Sequence, residues 1–404
     1  MCGSKNKLTV IGGGTAGCQA ALYGAKNGLE VTLYEKGKLG GTCLHVGCMP
    51  TKALLHASSC DWPGQIAQIR DKLALLENGM ERQLRRAGVR VCRETAPEQL
   101  QDPGAVILAV GAVRAPLPQI PGKELYDYGG ILELEQLPQE LAIIGGGVSG
   151  MEYAQIFAAF GCQVTVYEQA EMILPGFPEE YAVRLMELCL QAGIEFVCGE
   201  PIDPAQLPQR HILWTGRTAP WPQYLQDKLA AVGIRAGTDG IGTDDAWQTS
   251  RPGVYAIGDC AAGSHTAFSA LQAARMAVDK IMGRPVGTAG AVPQVVCGDY
   301  DLFCVGAWEG LWAEARMDRS GYAFIRERME GAVRLVCDPV SGVLTGAQLL
   351  CPGAAETGSL LTAAINAKMP VETLAQTPFF HPAYMETIKD AAVELYDLYR
   401  KQSH

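Results

Sequence analysis

In the stretch GGTCLHVGCMPTKALLHA, residues 40 to 57, Cys43 and Cys48 stand five residues apart, fenced by glycines and a proline, at the head of a helix-like pattern. Two sulfurs so placed can ligate a metal, staple the chain or exchange electrons. Metal ligation needs two further donors, and no C-x-x-C or H-x-x-x-H partner set occurs elsewhere in the sequence. A permanent staple is out of place in a reducing compartment, which leaves redox exchange. Residues five apart in a regular helix place their Cα atoms beyond the ~7 Å that a disulfide tolerates. The spacing therefore predicts Cys43 in a glycine-flexed lead-in and Cys48 in the first helical turn. Gly40, Gly41 and Gly47 supply the flexion, and Pro50 suits a first turn because its missing N–H would have no helical partner there. The helix N-terminus then favours a thiolate at Cys48.

The elements that must position this pair show themselves by repetition. LTVIGGGTAGCQAALYGAKNGLEVTLYEK (8 to 36) matches LAIIGGGVSGMEYAQIFAAFGCQVTVYEQ (141 to 169) almost position by position. Each copy reads as a strand, a G-x-G-x-x-G turn, an apolar-striped helix and a second strand ending in Glu35 or Glu168. Gly12 and Gly145 permit the tight turn, Gly14 and Gly147 let backbone approach a pyrophosphate, and Gly17 and Gly150 let the helix sit close on the strand. The carboxylate 18 residues past the third glycine is placed to accept hydrogen bonds from ribose hydroxyls. Two such units predict two dinucleotide sites. Glu168 would repel a 2′-phosphate and no arginine follows it in EQAEMILPG, so the second site is expected to prefer NAD over NADP.

Composition bounds the rest. The chain has 404 residues, enough for two to four domains, with 48% hydrophobic and 19% charged residues, an ordinary globular balance. Its formal net charge of -10 leaves no basic face for nucleic acid or anionic lipid. No stretch has signal-peptide character or the roughly 20 apolar residues of a membrane span, so a soluble, cytoplasmic protein is expected. Fourteen cysteines spread without a framework spacing read mostly as free thiols, against which the close-set pair stands out.

GGTCLHVGCMPTKALL resembles the redox-active disulfide motif of the pyridine nucleotide-disulfide oxidoreductases. YAIGDCAAG (255 to 263) is similar to their second FAD motif, and FFHPAYMETI (379 to 388) to their C-terminal His and Glu signature. The resemblance runs from about residue 7 to residue 390 and is greatest to the dihydrolipoamide dehydrogenase branch. It implies an α/β fold with two Rossmann-like dinucleotide-binding domains, a discontinuous FAD domain (1–137 and 218–286) and an NAD domain (138–217), followed by a C-terminal α+β dimerisation domain (289–404). ILAVGAVRAP (107 to 116) and ILWTGRTAP (212 to 220) look like the short strands that return the chain between domains.

The same resemblance distributes roles. FAD is expected at Gly12, Gly14, Gly17, Glu35, Lys36, Gly41, Thr42, Gly111, Gly258, Asp259 and Ala267, and NAD at Gly145, Gly147, Gly150, Glu168 and Gly216. Lys52, one turn past Cys48, matches the lysine that lies near the flavin N5, and Glu152 its acidic partner. His381, with Glu386 five residues on at a loop-to-helix junction, matches the catalytic base and the carboxylate that orients it, delivered to the disulfide of the partner subunit in a homodimer. The implied activity passes electrons between NAD(H), FAD, the Cys43–Cys48 disulfide and a dithiol, most closely dihydrolipoamide, free or on a lipoylated protein. A reductase of small disulfides such as glutathione disulfide, and an NADH-dependent flavin oxidase or transhydrogenase that leaves the thiols idle, are the alternative readings. The chain departs from the family pattern in three places. Residues 87–106 and 195–211 replace longer β-meanders, His45 stands where Asn is commoner, and HTAFSALQAARMA after Asp259 does not look like its counterpart.

Overall fold

The computed structural model describes residues 6–57, 59–97, 100, 102–112, 116–216, 223–263, 265–288 and 290–402. The chain opens with the first predicted βαβ unit: β1 (Lys7–Ile11), α1 (Thr15–Lys26) and β2 (Glu30–Tyr34), the two strands paired in parallel. Ala16, Ala20, Ala21 and Gly24 form the buried face of α1, small residues that let the helix lie close to the sheet. Next come α2 (Gly41–His45), α3 (Cys48–Leu55) and the long α4 (Trp62–Arg86). Asp61 caps α4 by accepting from the Gly64 N–H, and Arg85 and Arg86 complement the dipole at its other end. β3 (Arg90–Cys92) adds to β2 and β4 (Ala105–Leu108) to β1.

A second parallel sheet follows from β5 (Glu124–Tyr126), α5 (Tyr128–Ile131), β6 (Glu140–Ile144), α6 (Val148–Ala159), β7 (Gln163–Glu168), α7 (Glu179–Gln191), β8 (Glu195–Cys198) and β9 (His211–Trp214), in the order β5-β9-β6-β7-β8. The chain then returns through α8 (Gln223–Ala231), the small ladder β10 (Ala236–Gly237) and β11 (Gly240–Ile241), and β12 (Val254–Ala256), which completes the first sheet as β12-β4-β1-β2-β3. α9 (Ala267–Ile281) packs on α1. The last unit is antiparallel: β13 (Gln294–Val296), β14 (Asp301–Gly306), β15 (Leu311–Arg316), α10 (Gly321–Ile325), β16 (Ala332–Cys337) and β17 (Leu344–Cys351), in the order β13-β14-β17-β16-β15. Helices α11 (Ala354–Asn366), α12 (Val371–Gln376) and α13 (Glu386–Gln402) cover it.

Two Rossmann-like parallel layers and a C-terminal α+β domain are thus the architecture expected from the sequence, with local differences. β5 pairs with β9, so residues 124–126 join the second sheet, whereas the expected boundary at 137/138 assigns them to the first. The reason is long-range pairing, which a three-residue strand does not announce. β3 runs to β4 and β8 to β9 with no intervening strand among the described residues, in keeping with the missing meanders. Residues 113–115 and 217–220 of the two return stretches, together with positions 1–5, 218, 289 and 403–404 of the expected domain limits, lie outside the described residues. No helix among the described residues is long and apolar enough to cross a membrane.

Helix α6 is the pivot of the assembly. Its Tyr153 and Phe157 are 1% and 0% exposed and share one apolar core with Leu54 of α3, Trp62 of α4, Val296 of β13 and Leu302 of β14. Each such aromatic contributes roughly 1.5–3 kcal/mol of burial. Elements of all three units are thereby held against one helix.

Candidate active site

Both glycine turns have the geometry a pyrophosphate requires. Gly12 and Gly145 adopt φ of +104° and +106°, open to glycine at little cost. A Cβ on Gly17 would lie 1.8 Å from the Gly12 carbonyl oxygen, and one on Gly150 equally 1.8 Å from that of Gly145, so only glycine lets the helix start here. Gly14 and Gly147, by contrast, face open space at the helix N-termini. The arc of N–H groups at each helix start, which no Cβ crowds, fits a dinucleotide phosphate. Glu35 accepts from the Gly13 and Gly37 N–H groups, both at 2.6 Å, and Glu168 from Gly146 at 2.7 Å and Ala170 at 2.9 Å. The carboxylates expected to hold ribose therefore also order their own loops, and each oxygen keeps a second lone pair for a hydroxyl.

The remaining expected cofactor residues gather around these turns. Gly258 (φ +68°) brings a one-turn 3₁₀ helix, Gly258–Cys260, against α1, where a Cβ would sit 3.0 Å from that of Ala16, and so sets Asp259 beside the first turn. Gly111 (φ +73°) lies just past the end of β4, and Thr266 caps α9 so that Ala267 is its first residue. Gly216 follows β9, where a Cβ would fall 3.0 Å from the Trp214 indole nitrogen. Lys36 and Thr42 are exposed at the mouth of the first site.

Cys43 is where the structure departs from the sequence expectation. It sits not in an open lead-in but inside the short helix α2, while Cys48 opens α3 as expected. Gly40 in the left-handed region starts α2, and Gly47 (φ -121°, ψ -117°) breaks the path between the helices, which brings the two thiols close enough to titrate as a pair. The lead-in is docked on the first glycine turn: Gly40 N–H donates to the Gly13 carbonyl at 2.7 Å, and a Cβ on Gly41 would meet the Gly14 Cα at 2.9 Å. The cysteine pair and the first glycine turn are thus a single packed unit.

The two protons of the reduced pair come off in separate steps. The closeness of the two sulfurs, opposed by burial and assisted by the Thr15 hydroxyl and the Lys52 ammonium, draws the first down to about 6. The second, on a sulfur buried beside a negative one, is pushed up. The reduced pair thus sheds one proton readily and keeps the other, the two steps belonging to the pair as a whole.

Lys52 and Glu152, 100 residues apart in sequence, meet in a two-pronged ion pair at 2.7 and 2.6 Å. Glu152 is only 4% exposed, and a carboxylate this deep requires a partner. Burial disfavours the Lys52 ammonium, but Glu152 outweighs it and the lysine pKa is raised. His381 Nδ1 lies 2.8 Å from Glu386 Oε1, and the Ala383 N–H fixes the other oxygen at 2.9 Å. The hydrogen bond from His381 holds the Glu386 carboxyl below its usual range and leaves Nε2 as the ring's free base. The His381 side chain is 81% exposed, and among the described residues no hydrogen bond or ion pair joins it to the thiols. The chain thus unites Cys43, Cys48, Lys52 and Glu152 and holds the histidine dyad apart.

Some contributors carried no sequence signal. The Cys297 N–H donates to Glu152 at 3.0 Å from the far side of the ion pair. His45 Nε2 lies 2.8 Å from the Leu39 carbonyl, and Glu77 accepts from both the Leu39 N–H and Arg93, tying the lead-in to α4. His45 stands inside the cysteine motif, whereas Cys297 and Glu77 lie at no motif spacing from the residues they serve.

Comparison with known proteins gives concordant matches. Residues 6–280 fit the family model described as pyridine nucleotide-disulphide oxidoreductase, and residues 312–392 the model of that family's dimerisation domain. A dihydrolipoyl dehydrogenase of Haloferax volcanii is 30% identical, covering 96% of this chain and 95% of its own, and one of Bacillus subtilis is 26% identical over 95% and 97%. Among solved structures, LpdA from Mycobacterium tuberculosis superposes with a TM-score of 0.87 at 23% identity, covering 96% of this chain and 99% of its own. The HOCl-induced flavoprotein disulfide reductase RclA from Escherichia coli gives 0.85 at 24% identity over 96% and 99%, a likeness of fold.

Proposed function

This chain belongs to the pyridine nucleotide-disulphide oxidoreductases, as a flavoprotein disulfide oxidoreductase, and from that premise we propose that it transfers electron pairs between dihydrolipoamide and NAD through Cys43 and Cys48. The single observation that carries the reading is the pair itself: two neighbouring, coupled thiols on α2 and α3, packed on a glycine turn, with the Lys52 ammonium beside them. Gly12, Gly14, Gly17, Glu35, Lys36, Gly41, Thr42, Gly111, Gly258, Asp259 and Ala267 would hold FAD, and Gly145, Gly147, Gly150, Glu168 and Gly216 would hold NAD. Bound FAD would supply the relay of two electrons between nicotinamide and disulfide. Residues 1–137 without β5, together with 218–286, then serve FAD, 138–217 with β5 serve NAD, and 289–404 form the dimer interface.

The chain's own residues account for the thiol chemistry. His381 Nε2, from the partner subunit of a homodimer, takes the proton of the first substrate thiol, with Glu386 stabilising the imidazolium. The substrate thiolate attacks Cys43 Sγ, the Cys43–Cys48 bond breaks, and Cys48 leaves as thiolate beside the Lys52 ammonium. The second substrate thiol attacks the mixed disulfide and releases Cys43. Substrate leaves as cyclic disulfide, having lost two electrons and two protons, and the site gains a dithiol. Hydride delivery to NAD and loss of one proton close the balance.

The deciding experiment compares dihydrolipoamide, a lipoylated carrier domain, glutathione disulfide and coenzyme A disulfide in steady state. Dihydrolipoamide or the carrier is expected to give the highest kcat/KM. Turnover of glutathione disulfide or coenzyme A disulfide alone would reject the assigned substrate.

A further inference from the structure

Leu39 is held at both of its backbone polar groups by side chains. Its N–H donates to Glu77 Oε1 of α4 at 3.0 Å, and its carbonyl accepts from His45 Nε2, at the end of α2, at 2.8 Å. A carbonyl only accepts, so His45 carries its proton on Nε2. Arg93, just past β3, donates to the same Glu77 oxygen at 3.0 Å, and the other Glu77 oxygen lies 3.7 Å from His45 Nε2. Both the His45 and the Glu77 side chains are mostly buried. Three elements, α2, α4 and the end of β3, thus close on one residue. That residue is the floor of the first glycine turn. The Leu39 side chain is fully buried and would meet a Cβ on Gly13 at 2.7 Å, and the next N–H, of Gly40, docks on the Gly13 carbonyl at 2.7 Å. A shift of Leu39 therefore moves Gly13 and with it Gly14, whose open face fits the dinucleotide phosphate. Histidine at position 45 departs from the commoner Asn, whose amide ends nearer the backbone than an imidazole Nε2 does.

We propose that His45, with Glu77, is a positioning residue of the flavin cradle: the two side chains clamp Leu39 by its carbonyl and its N–H and so hold the first glycine turn in its binding shape. The proposal rests on the reading that FAD occupies this turn. Each residue acts through Leu39, without touching the cofactor. Because His45 stands between Cys43 and Cys48, the clamp ties the redox loop to the cradle by side chain as well as by backbone.

The test uses the flavin-loaded dimer with His45→Leu, His45→Gln, Glu77→Ala, the His45→Leu/Glu77→Ala double variant and Gly14→Val. Two quantities are read: the rate of FAD release into flavin-free buffer, followed by its fluorescence, and amide hydrogen exchange at Leu39 and Gly40 with flavin in excess, by mass spectrometry. His45→Leu, which lacks the donor, is expected to speed both roughly 3- to 10-fold, the weight of one hydrogen bond. His45→Gln, whose amide nitrogen stands as many bonds from Cβ as Nε2 does, is expected to stay within about 2-fold of the native protein. Glu77→Ala should also speed both, and the double variant should fall short of the product of the two single effects, as groups acting on one residue do. The KM for NADH should stay within about 2-fold throughout, since the second turn rests on Ile173. Gly14→Val, which fills the open face of the first turn, should lose more flavin than any of these. If His45→Leu yields no dimer, the smaller His45→Ala decides. Release and exchange unmoved in His45→Leu, beside a Gly14→Val variant stripped of flavin, overturn the role of His45 alone. Flavin retained by Gly14→Val overturns the reading of the first turn, and the proposal with it. A His45→Gln variant as fast as His45→Leu, or a double variant that reaches the full product, overturns the clamp.

Discussion

The two glycine turns agree further than their motifs. In the first, a Cβ on Gly13 would press on Leu39 at 2.7 Å, and in the second one on Gly146 would press on Ile173 at 3.0 Å. The next residue in each loop donates its N–H back to the turn, Gly40 to Gly13 at 2.7 Å and Leu174 to Gly146 at 2.9 Å. Both donors have positive φ, +93° and +53°, which leucine tolerates at a cost that glycine avoids. Divergence begins one residue later. Gly41 lets the first loop lie on Gly14 and run into Cys43, whereas Pro175 turns the second loop away toward α7. A shared backbone frame thus carries a close-set cysteine pair in one copy and none in the other.

The strongest test of that contrast removes what the second copy never had. Cys48→Ser and Cys43→Ser are each expected to lose thiol turnover by on the order of 10⁴-fold or more, while NADH oxidation with an artificial one-electron dye persists. The long-wavelength band of the reduced enzyme should vanish in Cys48→Ser and survive in Cys43→Ser. Identical spectra in both variants would refute separate roles for the sulfurs.

The next test asks whether the nucleotide copy works without the thiol end. His381→Ala should slow the thiol half-reaction roughly 10²- to 10⁴-fold, the usual cost of a lost general base, with flavin reduction by NADH within about 2-fold in stopped flow. Mixing His381→Ala with Cys43→Ser chains should restore activity if the site is shared between subunits. Equal slowing of both half-reactions counts against the assignment.

Smaller effects sharpen the comparison at single positions. Gly41→Val combines a disallowed φ with contact on Gly14, and should lower flavin retention by roughly 10-fold, read as bound flavin per chain, while Pro175→Val leaves it within about 2-fold. Glu168→Ser should shift the NADPH-to-NADH preference toward NADPH by roughly 10-fold, whereas Glu35→Ser should loosen flavin and leave that preference alone. Nucleotide preference that follows Glu35 would invert the assignment of the two sites.

The mildest test is a pH profile. The first proton of the Cys43–Cys48 pair is drawn down to about 6 by the closeness of the two sulfurs, so a thiolate forms as pH rises through that value and is lost below it. In the reduced protein, labelling of the pair should rise between pH 5 and 7. Cys198, beside Glu168 in the second copy, is raised by burial and by that carboxylate, and should label only in alkaline solution. A pair that labels in step with Cys198 would show that no special environment exists.

Local chemistry was legible in the sequence because it depends on neighbours along the chain. Glycine spacing sets the turns, C-x4-C sets the pair, and the five residues from His381 to Glu386 suffice to close the dyad at 2.8 Å. Each is decided within two or three turns of backbone, where steric and hydrogen-bond rules act residue by residue. Only the tertiary structure decided the rest. The packing of α3 on α6 sets Lys52 against Glu152, and the Cys297 N–H, donated to Glu152, ties the C-terminal domain to that pair. Pairing with β9 likewise draws β5 into the second sheet. These outcomes depend on burial and on groups about a hundred residues apart, which no local pattern encodes, because the free energy that selects them arises only once the core has closed.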